Sequence, residues 1–123
     1  YYKSVNNQVI LRPFESAVFN NCIMHGNTDT ELICDTLGPT FGLSGNTSFN
    51  YCAIKSEYAL SDMNLFNSCY LNLEPDFVST SSWNYDLGPQ SNVVDLGGSS
   101  SISQDILERP RLAPNDLGCY EKQ

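Results

Sequence analysis

The chain has 123 residues, 14 of them acidic and 6 basic, and a net charge of −8. That length fits one domain with a real core, and a hydrophobic content of 41% excludes a chain disordered throughout. Between Arg12 and Arg109 the one basic residue is Lys55; with no basic patch, nucleic-acid partners are excluded and an anionic membrane surface is disfavoured, and no apolar run approaches the roughly 20 residues of a membrane span.

Tyr1-Tyr2-Lys3 opens the chain without Met, as expected of a mature protein that has lost a leader. Gln8 to Leu11 predicts a strand, ended or edged by Pro13. Ser16–Met24 and Thr30–Leu37 are β-prone runs flanking the turn cluster His25 to Asp29, and predict an antiparallel hairpin. A three-residue loop at Asn27–Asp29 would set Cys22 opposite Cys34, close enough for a cross-strand disulfide; a slip of one residue would forbid it. Residues 38–45 form a loop carrying Phe41 and Leu43, and Thr47–Lys55 predicts another strand. Ser56 to Leu60 suits a short helical turn. Leu65 to Leu73 alternates, with Leu65, Asn67, Cys69, Leu71 and Leu73 on one face. This strand follows the Cys52 strand closely, which makes Cys52–Cys69 a natural second bridge.

After Glu74-Pro75 the composition turns to Ser, Gly and Asn. We expect a disulfide-stabilised β core over 1–78 and an extended arm over 79–123 within a single domain, the arm packing on the core or on a neighbouring subunit. Trp83, Tyr85, Val93-Val94, Ile106-Leu107 and Tyr120 are its expected anchors, and Ser103 should cap one helical turn ended by Pro110. Thr36-Leu37-Gly38, Asp86-Leu87-Gly88, Asp95-Leu96-Gly97 and Asp116-Leu117-Gly118 recur at irregular spacing. They suggest a turn device in which Leu anchors inward and Gly supplies special backbone geometry.

The chemistry-bearing residues are few. Cys22, Cys34, Cys52, Cys69 and Cys119 form no CxxC pair, and His25 is the single histidine, so no zinc-finger pattern exists. Scattered cysteines in a Tyr-, Asn- and Ser-rich chain point to disulfides and an oxidising compartment. The odd cysteine, assigned to Cys119, suggests an intermolecular bridge. Asn46-Thr47-Ser48 is a possible glycosylation sequon. His25 reads as a solvated turn residue rather than a base. Glu74/Asp76 and Glu57/Asp62 are poorly disposed for paired-carboxylate work, and Asn27, Asp29 and Glu31 start a calcium-loop spacing that the following residues do not complete. No catalytic residue, metal ligand or cofactor is therefore assigned.

The expected fold is mainly β, an antiparallel β-sandwich or small β-barrel with a long irregular C-terminal arm. The expected function is that of a non-enzymatic, secreted or cell-surface structural or interaction protein, self-associating through the arm as a subunit of an assembly or filament. A secreted binding module, lectin-like or toxin-like, with Tyr and Trp side chains meeting a glycan, is the alternative. A small secreted hydrolase is third.

Overall fold

The computed structural model describes residues 2–3, 6, 9–10, 16–33 and 47–122. Cys34 and Asn46, and with them the Cys22–Cys34 bridge and the sequon, lie outside the described residues. The chain is mainly β, with no α-helix among the described residues.

Its centre uses one six-residue pattern three times: Phe19-Asn20-Asn21-Cys22-Ile23-Met24, Phe49-Asn50-Tyr51-Cys52-Ala53-Ile54 and Phe66-Asn67-Ser68-Cys69-Tyr70-Leu71. Each copy forms two short strands round a corner. These are β3 (Ala17–Asn20) and β4 (Ile23–Met24), then β5 (Thr47–Asn50) and β6 (Ala53–Ile54), then β7 (Phe66–Asn67) and β8 (Tyr70–Leu71). The corner residues Asn21, Tyr51 and Ser68 take left-handed backbone conformations, with φ of 53°, 52° and 52°. Such a conformation costs a non-glycine residue about 1–2 kcal/mol, and Asn bears it best. It turns the chain in one residue, so that both strands of each copy can pair with the next.

The three corners stack as rungs. β5 lies between β3 and β7, and β6 between β4 and β8, all pairings parallel. The register sets the pattern on itself, Phe19 beside Phe49 beside Phe66 and Asn20 beside Asn50 beside Asn67. This overturns the expected antiparallel sandwich or barrel, and among the described residues no sheet closes on itself. Period-2 alternation marks a strand but carries no information on its neighbour's direction. Here like-on-like stacking of a directional pattern fixes the parallel sense. Among the described residues antiparallel pairing joins β1 (Tyr2–Lys3) with β2 (Val9–Ile10), the hairpin of β9 (Phe77–Ser79) and β10 (Asn84–Leu87), and the single bridge between Gln104 and Pro110.

Several local expectations change with it. Residues 16–24 do not form a hairpin with 30–33, which carry no strand; Ile23 and Met24 pair instead with Ala53 and Ile54. The strands expected over 47–55 and 65–73 are each broken at their corner. Residues 56–60 bend without a helix, Tyr58 N donating to the Ser56 hydroxyl at 2.9 Å. Residues 103–108 also lack one: Asp105 rather than Ser103 organises that turn, accepting from Leu107 N at 2.8 Å and Arg109 N at 2.9 Å.

Two apolar clusters flank the β4–β6–β8 sheet. On one side Cys52 and Ile54 pack with Phe49 and Leu65; on the other Ala53 meets Leu87, Val93 and Leu117. The second cluster is where residues beyond 78 dock on the core, and the 78/79 junction itself falls inside β9. The recurrent Asp-Leu-Gly segments make this contact. Leu87 and Leu117 are buried in the cluster and Leu96 packs against it, while the following Gly88, Gly97 and Gly118 each donate N–H to a carbonyl at 2.7 Å. At Gly88 an added Cβ would stand 2.5 Å from the Asp76 carbonyl oxygen, and Gly118 has φ of 84°. Both positions exclude a side chain, one by approach and one by conformation.

Of the expected anchors, Val93 is fully buried and Tyr85 meets Phe77 edge to face. Trp83, Ile106 and Leu107 are instead exposed, Trp83 by 78%. The arm is closed by ions. Arg109 reaches Asp105 at 2.6 Å and Asp86 at 3.2 Å, and Arg111 reaches Glu121 at 3.4 Å and the Gly118 carbonyl at 2.8 Å.

Candidate functional site: the stacked corners

The most repeated chemistry in the molecule runs along the stack. Phe19, Phe49 and Phe66 point to the same side because they hold equivalent positions of their strands. Their rings stack at centroid separations of 4.8 Å and 5.4 Å. Next to them runs an amide ladder: Asn50 Nδ2 donates to Asn20 Oδ1 at 2.9 Å, and Asn67 Nδ2 to Asn50 Oδ1 at 3.4 Å. Each such bond contributes about 1 kcal/mol, and each ring pair about 0.5–1.5 kcal/mol beyond area burial. Both rows give the stack a polarity, since every amide donates toward the earlier rung.

Cysteines form the third row. Cys22, Cys52 and Cys69 hold one position on successive rungs, and all three are free thiols in this structure, as is the exposed Cys119. Cys52 Sγ donates to the Phe19 carbonyl at 3.5 Å and Cys69 Sγ to the Phe49 carbonyl at 3.2 Å, the same contact one rung on. Cys34 lies outside the described residues, and on the next rung the neighbour of Cys22 is Cys52, which also has Cys69 on its other side. A hydrogen bond from the Cys52 thiol pushes the Cys22 pKa down, and the same bond together with burial pushes Cys52 up. Burial raises Cys69 as well.

The other sequence candidates do not converge on this row. His25 is not a solvated turn residue: its side chain is 17% exposed and its Nε2 stands 3.5 Å from Glu74 Oε2. Asn27 and Asp29 are exposed, and Glu31 turns back to accept from Thr28 N at 2.8 Å and the Thr28 hydroxyl at 2.7 Å. That local cap explains the acidic turn without a cation. Among the described residues no three His, Cys, Asp or Glu side chains come together as a metal site. A cavity of about 210 Å³ beside Phe66 is lined by Leu32, Ile54, Ser56, Tyr58, Leu60 and Leu65; its wall is apolar apart from the hydroxyls of Ser56 and Tyr58.

Sequence reasoning missed the phenylalanine and asparagine rows. Their signal was the recurring Phe-Asn-x-Cys, at residues 19, 49 and 66, whose unequal spacing hides it from a search for a fixed period. No family model, curated protein or solved structure matches this chain.

Proposed function

We propose that this chain is a non-enzymatic structural or interaction protein, secreted or at a cell surface, that works by associating with copies of itself. One observation carries the reading: the phenylalanine of the pattern is closed off in the middle rung and open on the first. Phe49 is 2% exposed, whereas its equivalent Phe19 is 38% exposed. A stack whose inner phenylalanine is enclosed and whose first rung presents the same group is suited to binding its own kind. The arm adds a second face, with Ile102, Ile106, Leu107 and Leu112 exposed near the exposed Cys119 in sequence. Acidic, Asn- and Ser-rich composition supports the extracytoplasmic setting. There we assign bridges Cys22–Cys34 and Cys52–Cys69, each closing a short loop worth about 3 kcal/mol, and an intermolecular link through Cys119.

Native mass analysis over a concentration series, with peptide mapping under non-reducing conditions, tests the reading. It predicts masses above the monomer at the higher concentrations and a Cys119 peptide joined to a second chain. A monomer throughout, with all five thiols open to alkylation, would contradict it.

A second reading rests on Trp83. This residue follows the 3₁₀ turn Thr80–Ser82 with φ of 59°, holding its indole 78% exposed at the tip of the β9–β10 hairpin among Ser79, Ser81 and Ser82. An aromatic plate beside hydroxyls suits glycan stacking. Retention on a glycan array that is lost in Trp83→Ala would favour this binding module.

A further inference from the structure

The contacts around the corner between rung one and rung two recur between rung two and rung three, although β3 and β5 pair over four residues and β5 and β7 over two. Asn50 Nδ2 donates to Asn20 Oδ1, as Asn67 Nδ2 does to Asn50 Oδ1. Asn21 N donates to Asn50 O at 3.0 Å, as Tyr51 N does to Asn67 O at 2.9 Å. In the other direction Ala53 N reaches Cys22 O at 2.9 Å, as Tyr70 N reaches Cys52 O at 2.8 Å; Lys55 N reaches Met24 O at 2.9 Å, as Asn72 N reaches Ile54 O at 3.0 Å. The arrangement is a translation rule, and it ends at two faces of opposite hydrogen-bonding sense. Among the described residues Asn20 Nδ2 has no acceptor on the first rung, and on the third Asn67 Oδ1 accepts from no amide, only from the Ser68 hydroxyl at 3.5 Å. The residues at both faces, Phe19, Asn20, Asn67 and Ser68, are exposed.

We propose that these two faces are the halves of one interface, and that the first rung of a second copy seats on the third rung of its neighbour, head to tail. This rests on the self-association proposed above and names the surface and partner. The rule specifies the contacts: the second copy's Asn20 Nδ2 on Asn67 Oδ1, its Ile23 N on Cys69 O, its His25 N on Leu71 O, Ser68 N on the second copy's Asn20 O, and the ring of Phe19 over that of Phe66. Three features select a second copy as occupant. The contacts continue an interface the chain already makes twice within itself. The donor end and acceptor end are complementary in dipole. The partner pattern needed at each end is present at the other end of the same chain. The arm docks beside the β4–β6–β8 sheet through Ala53 and meets the first rung at its corner, where Gly118 N donates to Asn21 O at 2.7 Å and Gly98 N to Asn21 Oδ1 at 2.8 Å; it leaves Phe19 and Asn20 exposed. A heterologous contact of this kind leaves a free face on every added copy, so it produces open chains of subunits rather than closed dimers. Exposed parallel edges are the usual template for such growth.

Asn20→Asp tests this without disturbing the fold. The carboxylate still accepts from Asn50 Nδ2, so the internal ladder survives, but the outward donor is replaced by an acceptor facing Asn67 Oδ1. Sedimentation velocity of the 123-residue chain is run over a concentration series for wild type, Asn20→Asp and Val78→Thr, an exposed position of β9, with thermal unfolding of each as a folding control. We expect wild type to grow through a ladder of sizes, Asn20→Asp to need at least a 10-fold higher concentration for the same mean mass, and Val78→Thr to keep wild-type growth. If wild type assembles and Asn20→Asp assembles equally well, the end-to-end interface is wrong while self-association stands. If wild type stays monomeric throughout, self-association fails and this interface with it.

Discussion

Asp105 shows how single residues hold the irregular half of the chain. Its side chain is fully buried and accepts from Leu107 N, Arg109 N, Glu121 N and Arg109 Nε. Burial alone would raise its pKa, but the backbone donors of Glu121 and Arg109 and the guanidinium outweigh it and bring the carboxyl down to about 2. An unfolded Asp titrates near 3.9. The folded value being the lower, the stability Asp105 contributes is complete above roughly pH 4 and disappears as pH falls toward 2. Asp105→Ala should cost about 3 kcal/mol, because it leaves Arg109 with Asp86 alone and strands the N–H donors of Leu107, Arg109 and Glu121. Its urea midpoint should fall less steeply than wild type between pH 4 and 2; equal slopes would remove Asp105 from the account. None of this was legible in the sequence, where Ser103 looked the better cap. Ser103 precedes the turn, but the donors of Leu107, Arg109 and Glu121 all converge two residues later.

The rungs are the element that the sequence half-reveals. Their strands are legible, because β-branched and aromatic residues alternate with polar ones. Their corners and direction are not. A left-handed Tyr51 contradicts its own propensity, and the parallel neighbour lies 30 or 17 residues away, from Phe19 to Phe49 and from Phe49 to Phe66. The cysteine row was noticed only as potential bridges. Equivalent rings in the stack should differ in energy. Phe49 is enclosed by rings on both sides, and Phe49→Ala should destabilise by about 3–5 kcal/mol. Phe19 has one ring neighbour and an open face, so Phe19→Ala should cost less than half as much. Denaturant unfolding of the two variants decides this, and equal losses would mean that the stack does not end at Phe19.

At the scale of the molecule, three parallel rungs are joined to a hairpin and an arm through one lateral cluster. The Asp-Leu-Gly segments were legible as inward-anchoring turns, and Leu87, Leu96 and Leu117 hold that place. The exposure of Trp83 and Ile106 was not, since an apolar residue in an irregular segment gives no sign of which side of the chain it faces. The parallel, in-register stack is the central claim, because the polarity of the faces and the end-to-end interface both follow from it. Nuclear Overhauser contacts in dilute, monomeric protein test it most directly. The account predicts ring contacts from Phe49 to both Phe19 and Phe66, none between Phe19 and Phe66, and cross-strand backbone contacts linking 17–20 with 47–50 in ascending order. Descending-order contacts between 16–24 and 30–37, as an antiparallel hairpin would give, would contradict it.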